Sequence, residues 1–244
     1  MTKSRRRSQI ERSADTRERL RAATVEVLLT KGYVNASTVE ICRQAGVSRG
    51  AMLHHYPTKR DLMIDTARQR FERARFEMEH LAGALSRGDL TAAEFVEGMW
   101  DEVFPQHAVI LTLETLVAAR SDVELGHAVG GFFREMVTGY ETVAATAFAD
   151  AGFSAEQRHV LVLLTACAIR GLRYQELMHF DPKQIGNIKT ALRYAIEAVL
   201  AAGPEKLGRA IAPARRKPRR PTTDTQSAKR SSTISGRGRR TRSQ

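Results

Sequence analysis

Cysteine is nearly missing from this 244-residue chain: Cys42 and Cys167 are all it has, too few for a disulfide framework or a four-thiolate zinc site. Proline is sparse, at seven residues, so long stretches can run as uninterrupted helix. No Asn-Gly or Asp-Gly pair joins alternating apolar and polar runs, which removes the usual hairpin signal. No apolar run reaches the roughly 18–20 residues of a membrane span, and residues 1–13 are basic without an apolar core. These absences predict a reduced, cytoplasmic protein with no membrane contact. There is also no His-Glu-x-x-His, no Gly-x-Ser-x-Gly and no Walker glycine loop, so no catalytic residue, metal ligand or cofactor is expected.

What is abundant is positive charge, and it is unevenly placed. The net charge of +12 divides into +9 for residues 1–75, −8 for 76–202 and +11 for 203–244. A basic front suits a polyanion, whereas an acidic middle suits something else. The last segment is rich in Pro, Arg, Ser, Thr and Gly and poor in large apolar residues, which predicts a basic disordered tail from 203.

Between these limits the apolar spacing is helical almost throughout. Leu20, Ala23, Val27 and Leu28 stripe a first helix over about 16–30, ended by Gly32. Ser37-Thr38-Val39-Glu40 has capping-box spacing and opens a short helix closed by Gly46. Ser48 caps another, through about Tyr56, before Pro57. A long helix follows from Lys59 to about Leu85. Thr91 and Glu94, Ser121-Asp122, Ser154 and Gln157, and Asp181-Pro182 mark later starts. The expectation is an all-α fold of about nine helices. It divides into a basic flexible arm (1–14), a three-helix domain (15–63), a further helical domain (64–202) and the tail (203–244).

A short helix, a glycine turn and a second short helix is the layout of a helix-turn-helix. The stretch from Ser37 through Ile41, Ala45-Gly46-Val47-Ser48-Arg49 and Met52 to Tyr56-Pro57-Thr58-Lys59 resembles the DNA-binding domain of the TetR family of transcriptional regulators. The resemblance covers about 16–63, including Gly32-Tyr33. Ile41, Ala45, Val47 and Met52 have the spacing to lock the two short helices together. Ser37, Thr38 and Lys59 are expected to clamp backbone phosphates. Ser48, Arg49, Gly50, Leu53 and His54 fall on the groove-facing side, with Arg49 able to give two parallel bonds to guanine. His55 or Tyr56 could reach a phosphate, though packing is favoured for Tyr56. Leu53 departs from the family, where tyrosine is very common, and offers apolar contact only. Arg5–Arg7 and Arg12 could follow the DNA backbone or a minor groove. The arginine clusters at 215–220 and 237–240 would attract polyanions non-specifically.

The resemblance further implies an effector pocket and a dimer interface made by the last two long helices, which here are apolar on more than one face. Trp100, Phe104, His107, Leu111, Glu114, Phe132, Tyr140 and Tyr174 are candidate pocket residues, each of which would also serve in an ordinary core. His107 and Glu114, two turns apart, should face one side. The expected function is a homodimeric DNA-binding regulator, a ligand-responsive repressor on a palindromic double-stranded operator, with a small-molecule effector. The alternative is an architectural protein that coats DNA through its basic tails.

Overall fold

The computed structural model describes residues 8–149 and 151–212. Among them the chain forms ten α-helices and no strand: α1 Gln9–Asn35, α2 Thr38–Ala45, α3 Arg49–His55, α4 Lys59–Ser86, α5 Ala92–Gly98, α6 Gln106–Ala119, α7 Val123–Ala147, α8 Ala155–Leu177, α9 Pro182–Ala202 and α10 Pro204–Ile211. A π-helical turn, Met99–Val103, continues α5.

Two ends differ from expectation. A complete capping box, Ser8 with Glu11, starts α1 at Gln9, so the flexible arm cannot extend to residue 14. Beyond Gly203 the chain turns into α10, where Leu207 packs on the main core and Gln157 donates from Nε2 to the Pro204 carbonyl at 2.7 Å; order is gained there through contact with α8. Arg5–Arg7 and the arginine clusters of the tail lie outside the described residues. At α2 only half of the capping box forms. Ser37 accepts from the Glu40 N–H, while the Glu40 carboxylate turns to Lys31 and Arg43 at 2.8 Å each.

Gly32 does not stop α1 but kinks it, with φ +70° and a further helical turn to Asn35. The kink releases the Tyr33 N–H from the helical ladder, and the Glu114 carboxylate on α6 accepts it at 2.7 Å.

Two apolar cores form. One gathers α1 to α3 and the start of α4, but also Leu111 and Ala118 of α6 and Leu125 and Val129 of α7. The other holds the remainder of α4 with α5, α7, α8 and α9. The helix-turn-helix region is therefore not sealed off at residue 63: it shares a core with α6 and α7. Gly98 lets α5 lie against α4, since a Cβ there would sit 2.5 Å from the Leu81 side chain.

Candidate DNA interface and effector cleft

The head is built around the turn between α2 and α3. Gly46 holds φ +60° and ψ 37°, a left-handed geometry costly for a side chain. Arg19 of α1 clamps this turn by donating to the Ala45 and Gly46 carbonyls at 2.6 and 2.8 Å. Ile41, Ala45 and Met52 are buried as their spacing requires, and each large side chain so buried contributes about 1.5–3 kcal/mol. Tyr56 is buried too, its hydroxyl donating to Asp65 at 2.6 Å while Arg21 donates to the same oxygen at 2.9 Å. Burial, aided by the Asp65 carboxylate, pushes the Tyr56 hydroxyl up. At Asp65 the bonds from Tyr56 and Arg21 outweigh burial and hold the carboxyl below its ordinary range.

This bracing leaves one face of α3 in solvent. Ser48, Arg49, Gly50, Leu53 and His54 are exposed and His55 is half-buried. A Cβ at Gly50 would meet nothing within 4 Å, so nothing in the described chain requires glycine there. The Ser37 and Ser48 hydroxyls accept from the Glu40 and Ala51 N–H groups and keep their own hydrogens for an outside acceptor. Thr38 is half-buried at the first position of α2. A shallow groove beside the end of α3 is lined by Arg12, Thr16, Arg17, His54 and His55. Burial, then the nearby His54 and Arg17, keeps the His55 pKa below its ordinary value.

Lys59 lies elsewhere than a free phosphate clamp would. Its ammonium donates to the Tyr33 carbonyl at 2.7 Å and sits 4.0 Å from the centre of the Tyr33 ring; burial lowers its pKa. The same kink that frees the Tyr33 N–H for Glu114 thus presents its carbonyl to Lys59.

Of the eight pocket candidates, two share a cleft. Phe104 and Tyr174 line a narrow cleft of about 30 Å³ between α4, α6, α7 and α8, together with Arg70, Phe71, Val109, Phe133, Met136 and Arg170 among others. The other six are placed differently. Trp100 is buried beneath the Arg173 guanidinium, 3.8 Å from its ring centre. Leu111 belongs to the head's core. Glu114 is taken up by Tyr33. Phe132 lies against Phe71 and under Arg68, and Tyr140 is buried with its hydroxyl unpartnered. His107 keeps more than a third of its surface in solvent; the partial desolvation of its ring, then the charges of Arg70 and Arg73, depress its pKa. Arg70 and Arg170 escaped the sequence reading, although a signal existed: Met63, Ala67, Arg70, Ala74 and Met78 follow a helical stripe in which one member is an arginine.

Among the described residues no three His, Cys, Asp or Glu side chains gather as a metal site, and no helix is long and apolar enough to cross a membrane.

The family model described as bacterial regulatory proteins, tetR family, matches residues 20–66, the segment that carries α2 and α3. CymR, an HTH-type transcriptional regulator of Pseudomonas putida, is 26% identical over 189 residues, covering 76% of this chain and 91% of CymR. A TetR-family transcriptional regulator from Mesorhizobium loti superposes with a TM-score of 0.65 at 16% identity, covering 78% of this chain and 98% of its own. FadR of Bacillus subtilis, a transcriptional regulator solved in complex with stearoyl-CoA, gives 0.56 at 16% identity over 73% and 96%. These structural likenesses establish the fold; residues 20–66 are similar to the bacterial regulatory proteins of the tetR family, and most of the chain is similar to the HTH-type transcriptional regulator CymR.

Proposed function

We propose that the chain is a homodimeric repressor of a palindromic operator, released by a small effector bound in the cleft between α4, α6, α7 and α8. The observation that carries the reading is the exposed face of α3, with Arg49, Gly50, Leu53 and His54 presented by a turn fixed from below by Arg19, Met52 and Tyr56. In this reading Arg49 bonds guanine O6 and N7, Gly50 admits close approach, and Leu53 touches a thymine methyl. Ser37, Thr38, Ser48 and His55 face phosphates.

Dimerisation is supported by apolar side chains left in solvent on the last long helices: Leu164 is 56% exposed, Ile188 48% and Tyr194 73%. Covering such residues is what a partner copy does. Two-fold symmetry would then set the α3 helices about 34–36 Å apart, or somewhat more, on a palindrome.

The effector response follows from shared elements. On α6, Ala108, Val109 and Thr112 line the cleft while Leu111 and Glu114 hold the head. Helix α4 runs from the head into the cleft wall. A ligand that favours one packing of these helices shifts the head with it, and coupling of about 1–3 kcal/mol changes operator affinity roughly 5- to 150-fold.

The test is selection of a randomised duplex pool by the full chain at about 150 mM salt, where non-specific attraction has weakened and base readout persists. Recovery of a palindrome, lost with Arg49→Ala, is the expected result. Binding without any enriched sequence, collapsing as salt rises, would instead support DNA coating by the basic ends.

A further inference from the structure

Arg70 on α4 and Arg170 on α8 line the same cleft, and neither forms an ion pair among the described residues. Arg70 donates to the Val103 carbonyl, one of the last of the π-helical turn. Arg170 donates to the Ala166 carbonyl at 3.3 Å, has the Cys167 sulfur at 3.5 Å, and lies 5.7 Å from the centre of the Phe104 ring. All these partners are neutral. Residues 76–202 carry a net charge of −8, yet no carboxylate lines the cleft. Arg70 comes from the basic first segment and Arg170 from the acidic one, and their meeting where the acids are absent needs an explanation.

Packing alone does not supply it. A cation withdrawn from water without a counter-charge is unfavourable by several kcal/mol, and burial drives the Arg70 pKa down to about 10. That still leaves it protonated near neutral pH. Nearby Tyr140, whose buried hydroxyl has no partner, feels the Arg170 charge. The remaining wall is apolar and aromatic, with Phe71, Phe104, Phe133 and Met136.

We infer that the effector is an organic carboxylate with an aromatic or alkyl body, its two oxygens taken by Arg70 and Arg170 and its body held by the phenylalanines. This inference rests on the cleft being the effector site. Guanidinium groups match the two oxygens of a carboxylate, and such bonds are stronger than neutral ones. The enclosed space is only about 30 Å³, far below the roughly 300–1,000 Å³ usual for ligand sites, so the helices around it part to admit the acid. The ligand's charge would complete a pairing that the protein leaves open.

The experiment titrates the full chain by calorimetry with acid and amide pairs of the same body: octanoate with octanamide, 4-phenylbutyrate with 4-phenylbutanamide, and naphthalene-2-carboxylate with its carboxamide. Arg170→Gln and Arg170→Lys are titrated in parallel, with helicity checked by circular dichroism. For at least one pair the acid is expected to bind about 10-fold or more tightly than the amide. Arg170→Gln should abolish that preference without weakening the amide, and Arg170→Lys should keep part of it. The lysine variant also keeps the test readable if the glutamine variant unfolds. Equal binding of acid and amide, or a preference that survives Arg170→Gln, would overturn the carboxylate inference and leave the effector cleft standing. No binding by any of the six compounds would overturn both.

Discussion

The head and the cleft are built from opposite kinds of information. In the head, the residues that face outward, turn the chain and lock the helices fall between Ser37 and Tyr56, and local rules of capping and glycine geometry position most of them. In the cleft, Arg70, Phe133 and Arg170 come from three helices and Phe104 from the bend before α6, spread over a hundred residues, and only packing brings them together. The first arrangement is shaped locally and braced by α6 and α7; the second depends on every helix in it. A chain built this way can hold the exposed face of α3 while its cleft chemistry varies with a few side chains.

The sharpest way to break this comparison is at Arg49. Loss of a bidentate base contact costs about 1–3 kcal/mol per half-site, and so about 2–6 kcal/mol for a dimer, on the order of 30-fold or more in operator affinity. Arg49 is exposed and makes no hydrogen bond among the described residues, so Arg49→Ala should leave thermal stability unchanged while mobility-shift titration records the loss. If operator affinity survives, the reading surface lies elsewhere on the head.

The same contrast explains what was legible in the sequence. The helix-turn-helix could be read because Gly46, Ser48, Met52 and Tyr56 act on their immediate neighbours. The kink at Gly32 was read as a stop, because the partner that accepts the released N–H, Glu114, lies 81 residues later. Glu114 and Leu111 looked like pocket residues for that reason: helical spacing shows that residues share a face, but not which neighbour the face meets. Arg70 and Arg170 were missed because a charged residue is ordinarily assigned to solvent, and only the packed helices show two of them turned toward one cleft. Trp100 and Tyr140 were credited to the pocket for their size, which suits a core equally well.

Glu114 sharpens the comparison, since it joins the two regions. A hydrogen bond to a charged acceptor contributes about 1.5–3 kcal/mol, and partial exposure places this one nearer the lower figure. Glu114→Ala should lower the melting temperature by about 2–6 °C and reduce the effect of any cleft ligand on operator affinity; Glu114→Gln, which keeps an acceptor, should recover part of both. A full ligand response in Glu114→Ala would show that α4 alone carries the coupling.

Lys59 tests a smaller point, whether a head residue can be structural rather than DNA-facing. Its bond to the Tyr33 carbonyl and its place over the ring predict that Lys59→Met lowers stability by about 1 kcal/mol. The dependence of operator affinity on salt should then be nearly unchanged. A phosphate contact from each protomer would instead reduce the slope of log affinity against log salt by about 2, and a change of that size would restore Lys59 to the interface.

The smallest effect expected is a pH dependence shared by both regions. His55 in the head has its pKa lowered by burial and by His54 and Arg17, and His107 beside the cleft by burial and by Arg70 and Arg73. In both, the folded protein binds a proton less readily than the unfolded chain, whose imidazoles titrate near 6.5. Stability is therefore kept above that value and falls as pH drops through it, because the unfolded state takes up protons first. Scanning calorimetry from pH 7.5 to 5.5 should show the melting temperature declining, with His55→Gln and His107→Gln each flattening the curve, by less than the shift expected for Glu114→Ala. The two variants should part company when a carboxylate occupies the cleft. Its negative charge beside Arg70 offsets the cations that depress His107 and leaves His55 untouched, so ligand should weaken the pH dependence of His55→Gln protein and have almost no such effect in His107→Gln. Equal behaviour of the two with ligand bound would mean that the anion does not sit beside Arg70.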